Sequence, residues 1–353
     1  MGYPDSNQER QDQNLQCYHY TIAQLRVQRY ILFRKYPNVF RFFFKKKMYL
    51  CIEMGKNRDK RLPSAATIGF FDGVHRGHLC LIGQLRQEAQ KRGVKSLLVT
   101  FDQHPRTVVS PGHVPTLLTT LEEKEQLLRQ TGVDEIAVLP FTLELSRLTA
   151  REFMQQVLRD ELNVQTLMLG YDHAFGHGGG SLNDYIRWGE ETGIEVLRAH
   201  ELEDAMVSSS KCRRLLEVGD VEAAAEMLGR SYSLNGEVVR GFHVGHELGF
   251  PTANLQPDEE KLIPAHGAYA VWVVLADGSR QAGMLNIGNR PTIGNGETVS
   301  VEVNLMDYEG DLYGQRLTVE FVSRLRDERR FASRNELMAQ LAQDAETAKR
   351  ILS

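Results

Sequence analysis

Residues 65–78 read AATIGFFDGVHRGH, a short apolar run that ends in glycines and turns into a helical pattern. Residues 65–70 are of strand length, and Leu79, Ile82, Leu85 and Ala89 then mark one face of a helix that Gly93 stops. A second strand follows at once. Residues 96–101, 135–139, 165–169 and 195–199 are further short apolar segments, separated by helical patterns that include residues 121–130 and 150–161. Strands alternating with helices predict parallel βαβ units. A doubly wound α/β sheet is expected over residues 62–230, with any ligand at the carboxyl ends of its strands. Beyond Tyr232 the pattern changes to hairpin-spaced β segments at 233–240, 268–275, 281–287, 298–306 and 317–325, with Asp277-Gly278 as a turn signal. These predict a small antiparallel barrel over residues 231–353. A final helix, 335–352, carries Leu337, Leu341 and Ala345 on one face.

Composition agrees with two globular domains, since 353 residues exceed what one hydrophobic core usually holds. Hydrophobic residues at 42% and charged residues at 25% exclude fibrous, disulfide-stapled and disordered classes. The longest apolar run, residues 269–276, falls far short of the ~20 residues of a bilayer span. No ordered secretory signal opens the chain, so a cytoplasmic location is expected. Cys17, Cys51, Cys80 and Cys212 are far apart with no Cys-x-x-Cys pair, which suggests reduced packing residues. Through residue 61 there are 13 Lys plus Arg against 5 Asp plus Glu, whereas the remainder has 29 against 41. The basic, aromatic run at 40–47 (FRFFFKKK) raises a nucleic-acid or anionic-membrane arm. Its net charge of +8 does not continue into the −12 of the remainder, so residues 1–61 are expected to be a poorly ordered extension, with neither nucleic acid nor membrane as partner. Met48 or Met54 sits where a shorter chain could begin.

The chemistry concentrates between Gly69 and His78. A strand that turns directly into a helix aims backbone N–H groups and the positive dipole end at one point, which suits a phosphate. His75 and His78, three apart, share a face and can donate hydrogen bonds to phosphate oxygens. Taken alone, the pair fits capping histidines, or half of a metal site with His173 and His177, equally well. Ser209 and Ser210, ahead of Leu215 and Leu216, read as a helix cap in any protein. Glu302 lies in an alternating strand and faces away from Val301 and Val303. It is either a functional carboxylate or a solvent-facing strand residue.

The segment TIGFFDGVHRGH resembles the signature of the bacterial bifunctional riboflavin kinase/FAD synthetase family, whose adenylyltransferase half belongs to the His-x-Gly-His nucleotidyltransferases. Residues 169–180 (LGYDHAFGHGGG) resemble its flavin- and nucleotide-side Gly-Phe-Gly loop, and 207–213 (VSSSKCR) its Ile-Ser-Ser-Thr-x-x-Arg motif. In the second half, 248–254 (LGFPTAN), 286–292 (NIGNRPT) and 301–314 (VEVNLMDYEGDLYG) resemble the kinase motifs. The likeness runs from about residue 65 to the C-terminus.

The resemblance implies a Rossmann-like nucleotidyltransferase domain followed by a β-barrel riboflavin kinase domain. It also implies two reactions, phosphorylation of riboflavin to FMN by ATP and adenylylation of FMN by a second ATP. By resemblance His75 and His78 stabilise adenylyl transfer, and Ser209, Ser210 and Arg213 bind the triphosphate. Gly69, Phe71, Asp72, Gly73, Asp172 and Gly176 line the nucleotide or flavin, with His104 and Pro105 as further candidates. Either aspartate can instead brace a turn. In the barrel, Gly249, Pro251, Thr252 and Asn254 approach phosphate, with Thr252 and Asn254 also on Mg²⁺, and Glu302 is the general base. An oligomer is compatible with this reading. Four residues depart from the family pattern: Phe70 for Asn, Cys212 for a β-branched residue, Ser210 for Thr and Asn304 for a frequent His. Phe70 and Asn304 bear on fine substrate positioning.

Overall fold

Strand β1 (Ser64–Ile68) is buried along its whole length in the computed structural model because it has a parallel neighbour on each side. With β2 (Lys95–Phe101), β3 (Glu135–Leu139), β4 (Val164–Leu169) and β5 (Glu195–Arg198) it forms a sheet of order β3-β2-β1-β4-β5. All pairings are parallel. A strand covered on both faces has no polar side to show, which accounts for the unbroken apolar reading of residues 65–70. Strand order reverses between β1 and β4, and a crevice therefore opens at their carboxyl ends. The structure describes residues 61–170, 175–200, 207–239, 252–291, 297–308 and 310–353. The extension expected at residues 1–61 lies outside them but for Arg61.

Helix α1 (Arg76–Arg92) packs on the sheet through Ile82, Leu85 and Ala89 and stops at Gly93 in the left-handed conformation, as its sequence predicts. Leu79, expected on the same face, is exposed. Helices α2 (Leu121–Gln130), α3 (Ala150–Phe153) and α4 (Leu182–Thr192) complete the layers, and α3 runs on through Met154–Glu161 with π-type hydrogen bonding.

Helices α5 (Ser209–Glu217) and α6 (Val221–Leu228) lead into six strands. These are β6 (Ser233–Val239), β7 (Ala253–Pro257), β8 (Gly267–Val274), β9 (Arg280–Pro291), β10 (Glu297–Leu305) and β11 (Arg316–Asp327), closed as β10-β7-β6-β11-β8-β9. No β segment is predicted from the sequence at β7. That strand is five residues long and exists by pairing with β6 on one side and β10 on the other, a tertiary condition. Helix α7 (Arg334–Leu352) lies on the barrel through Ala345, Ala348 and Leu352, and its buried Asp344 accepts a hydrogen bond from Arg326 at 2.8 Å.

The halves share one core. Cys212, Leu216, Val221 and Leu228 of α5 and α6, with Leu118 of the sheet half, pack among Leu234, Tyr269 and Phe321 of the barrel. Cys212 is fully buried there, as a small hydrophobe. Among the described residues no helix is long and apolar enough to cross a membrane.

Lys124 of α2 is the outlier of the sheet–helix packing, at 1% exposure. Its ammonium donates to the Phe101 carbonyl at 2.9 Å and lies 4.0 Å from the Phe70 ring centre. Burial lowers its pKa from the ordinary 10.5 to about 8, against the opposing pull of Asp72 and Glu125. Between pH 8 and 10.5 the unfolded chain therefore carries this proton and the folded chain does not, so this group's contribution to stability rises with pH across that window. Lys124→Met removes the effect. Denaturation midpoints measured across the window should show the wild type gaining on Lys124→Met as pH rises; a constant difference would contradict the lowered ammonium.

Candidate active sites at the strand ends and on the barrel wall

The turn after β1 is held in a conformation that its sequence would not adopt alone. Phe71 (φ 55°) and Val74 (φ 41°) stand in the left-handed region together with Gly73 (φ 78°), and for a β-branched residue that is costly. The surroundings over-determine it. Gly73 N–H donates to Thr119 Oγ1 at 3.0 Å, Arg230 Nη2 donates to the Gly73 carbonyl at 2.7 Å, and Ser209 Oγ donates to the Asp72 carbonyl at 2.9 Å. Gly69 closes the strand with its N–H on the Val99 carbonyl at 3.0 Å.

Asp72 is the anchor of this network. Only 3% exposed, its carboxylate accepts from Leu118 N–H at 3.0 Å, Thr119 N–H at 3.0 Å and Thr119 Oγ1 at 3.2 Å, and pairs with the Arg213 guanidinium. Arg213 Nε also donates to the Thr116 carbonyl at 2.8 Å. Of the two readings of Asp72, bracing a turn is the one its contacts describe.

His75 is the N-cap of α1, where its Nδ1 accepts from His78 N–H at 3.3 Å. That contact leaves the proton of a neutral imidazole on Nε2. The His75 and His78 rings stack with centroids 3.6 Å apart, and Phe71 meets His78 edge-on at 5.2 Å. Helix α5 begins beside them: a Cβ on Gly77 would lie 3.7 Å from the Val207 carbonyl. Its cap is Ser208, whose hydroxyl accepts from Lys211 N–H, so Ser209 and Ser210 form the first helical turn rather than the cap that their sequence suggested. Two helix N-termini thus face one region with a histidine pair between them, an arrangement suited to several phosphate oxygens. Phe70, the departure from the family pattern, is packed between Lys124 and the His104 ring, whose centroid lies 4.8 Å away. Burial, then the nearby Arg213, lowers the His104 pKa.

Gly176 lies against the start of α3, where a Cβ would come within 2.3 Å of Ala150 N. That approach and its φ of 81° admit only glycine. Asp172 lies outside the described residues, and so do Gly249 and Pro251.

In the barrel, the antiparallel register sets Glu302 of β10 opposite Asn254 of β7 on one side and Asn286 of β9 on the other. Val301, Val303, Ala253, Leu255, Leu285 and Ile287 point into the core. The three polar residues therefore form a row on the outer wall, each half-buried. Thr252, also half-buried, immediately precedes β7. At the next outward position of β10, Asn304 pairs with Met284, which packs with Ala348 and Leu352 of α7. Helix α7 thus covers one end of this wall and leaves the Glu302 row outside its cover. Sequence reading missed Asn286 as a neighbour of Glu302, although alternation with Leu285 and Ile287 puts it outward. It also missed Thr119 and Arg230, for which nothing local gives a signal.

Comparison with known proteins assigns each half. Residues 57–211 match the FAD synthetase family model and residues 228–352 the riboflavin kinase model. A bifunctional riboflavin kinase/FMN adenylyltransferase of Pseudomonas fluorescens is 38% identical over 83% of this chain and 94% of its own. One of Bacillus subtilis is 33% identical over 84% and 95%. The crystal structure of a protein described as a macrolide-efflux protein from Streptococcus pneumoniae superposes with a TM-score of 0.75 at 29% identity, covering 81% of this chain and 94% of that one. With a histidine-bearing strand–turn–helix, a six-stranded barrel and relatives matched along nearly their whole length, the chain belongs to the bifunctional riboflavin kinase/FMN adenylyltransferase family.

Proposed function

We propose that the two reactions of this family occur at separate places on this chain: phosphorylation of riboflavin to FMN at the Glu302 row, and adenylylation of FMN to FAD at the turn after β1. Residues 231–353 are then the kinase domain, residues 62–230 the adenylyltransferase domain, and residues 1–61 stand outside both, with the work done in the cytoplasm. The observation that carries the reading is the convergence of residues distant in sequence, Glu302 with Asn254 and Asn286, and the α1 start with that of α5.

For adenylyl transfer an FMN phosphate oxygen attacks the α-phosphorus of ATP in line; the new P–O bond forms as the bond to the β-phosphate oxygen breaks, and pyrophosphate leaves. Positioning and charge stabilisation suffice for such a reaction. His75, through Nε2, and His78 donate to α-phosphate oxygens as their charge grows, while the N–H groups of both helix N-termini bind the phosphates. The guanidinium of Arg213, with donors beyond those on Asp72 and Thr116, balances the departing pyrophosphate.

For phosphorylation, Glu302 accepts the proton of the ribityl hydroxyl that attacks the γ-phosphorus. The hydroxyl of Thr252 and the side-chain carbonyl of Asn254 are hard oxygen donors beside it, suited to Mg²⁺. Bound there, Mg²⁺ would neutralise phosphate charge.

Incubation with riboflavin, ATP and Mg²⁺, resolved by chromatography over time, tests the whole reading: FMN should rise first and FAD after it. FMN without FAD would leave a kinase alone. His78→Ala should cut FAD formation from FMN by roughly 10²- to 10³-fold while riboflavin phosphorylation survives. A parallel fall of both in a folded variant would remove the histidines from a dedicated site. Glu302→Gln keeps the side-chain size and loses the proton acceptor, so phosphorylation should drop about 10²- to 10⁴-fold with FAD formation from FMN intact. Unchanged phosphorylation would discard Glu302 as the base.

A further inference from the structure

The loop that holds Asp72 is itself held by the other half of the chain. Leu117 N–H donates to the Glu260 carbonyl at 2.7 Å, and Leu262 N–H returns a bond to the Leu117 carbonyl at 2.8 Å. Between these two bonds Lys261, 4% exposed, donates to the Leu118 carbonyl at 2.8 Å and forms an ion pair with Glu123. Glu123 also accepts from Thr120 N–H at 2.9 Å and closes the capping box of α2. Lys261 lies in the segment between β7 and β8, within the riboflavin kinase match; its ammonium also lies 5.0 Å from the Tyr232 ring centre, but the two groups it hydrogen-bonds, on Leu118 and Glu123, lie within the FAD synthetase match.

We propose that Lys261, a residue of the kinase half, is a positioning residue for adenylyl transfer in the other half. The proposal rests on the assignment of that reaction to the turn after β1. Four steps connect them. Lys261 grips the carbonyl of Leu118; the N–H groups of Leu118 and Thr119 grip the Asp72 carboxylate; Asp72 holds the Arg213 guanidinium; and Thr119 Oγ1 fixes Gly73 N–H two residues before His75. An ion pair so deeply buried is a poor device for stability, because desolvation of both charges offsets most of their attraction. Its placement serves geometry: the ammonium bonds the Leu118 carbonyl of the loop and the Glu123 carboxylate in the first turn of α2, and so fixes where that loop lies against the helix.

The full-length chain supplies its own control, since riboflavin phosphorylation reports folded protein in the same sample. In Lys261→Met the ratio of FAD formation from FMN to FMN formation from riboflavin should fall about 10- to 100-fold, through kcat, as small misplacements of catalytic groups produce. An unchanged ratio would overturn the proposal. Lys261→Met leaves Glu123 buried and unpaired, so the double variant Lys261→Met/Glu123→Gln removes that charge while Gln keeps the capping acceptor. The lowered ratio should persist in the double variant even if its thermal stability recovers. Recovery of the ratio along with stability would assign Lys261 to stability alone. Absence of FAD formation by the wild type would instead refute the assignment of function on which the proposal rests.

Discussion

A carboxylate at 3% exposure organises this molecule. Moving the charge of Asp72 out of water is costly unless donors replace the lost solvent, and here two backbone N–H groups, a hydroxyl and a guanidinium do so. The consequence is geometric. The donors come from two stretches, Leu118 and Thr119 of the loop before α2 and Arg213 of α5, so the carboxylate is satisfied only when the turn after β1, that loop and the start of α5 are all in place. That mutual requirement keeps Phe71 and Val74 at positive φ, a conformation which neither would hold in an isolated turn.

The same loop reaches the barrel. Leu118 offers its N–H to Asp72 and its carbonyl to Lys261, while its side chain packs in the core shared with the barrel strands. One residue therefore contacts the hydrogen-bond network of one half and the apolar interior of the other. Polar and apolar forces act together there: the backbone bonds between Leu117 and residues 260–262 fix register, and burial of Leu118 holds the halves in contact.

The two sites use different parts of protein architecture for different charges. In the proposed reading, phosphate oxygens are met by helix N-termini at the carboxyl edge of a parallel sheet, where the positive end of each helix dipole favours anions. In the same proposed reading, proton transfer falls to a side chain on a strand, where alternation presents one polar residue between two core valines. Closure of the barrel supplies what a lone strand lacks, since it brings β7 and β9 to either side of β10 and lines up Asn254, Glu302 and Asn286.

Much of this was legible in the order of residues. Periods of 3.6 and 2 marked the sheet half and the barrel, the glycines and histidines after residue 68 marked the strand–turn–helix that bears the candidate first site, and Val301-Glu302-Val303 pointed the glutamate outward, because each is a local property of covalent spacing. The rest depended on contacts across many residues. Nothing local distinguishes Asp72 facing a ligand from Asp72 facing Leu118, 46 residues away. Nothing local in the sequence marks Lys124 or Lys261 as interior, and only the packing of the sheet and barrel around them makes both buried. Ser208 took the cap ahead of Ser209 because the hydroxyl of Ser209 was claimed by the Asp72 carbonyl. Sequence by itself determined the helix and strand pattern of both halves and offered the candidates for chemistry; tertiary structure decided that β7 forms and which of those side chains face each other, because both depend on what lies opposite.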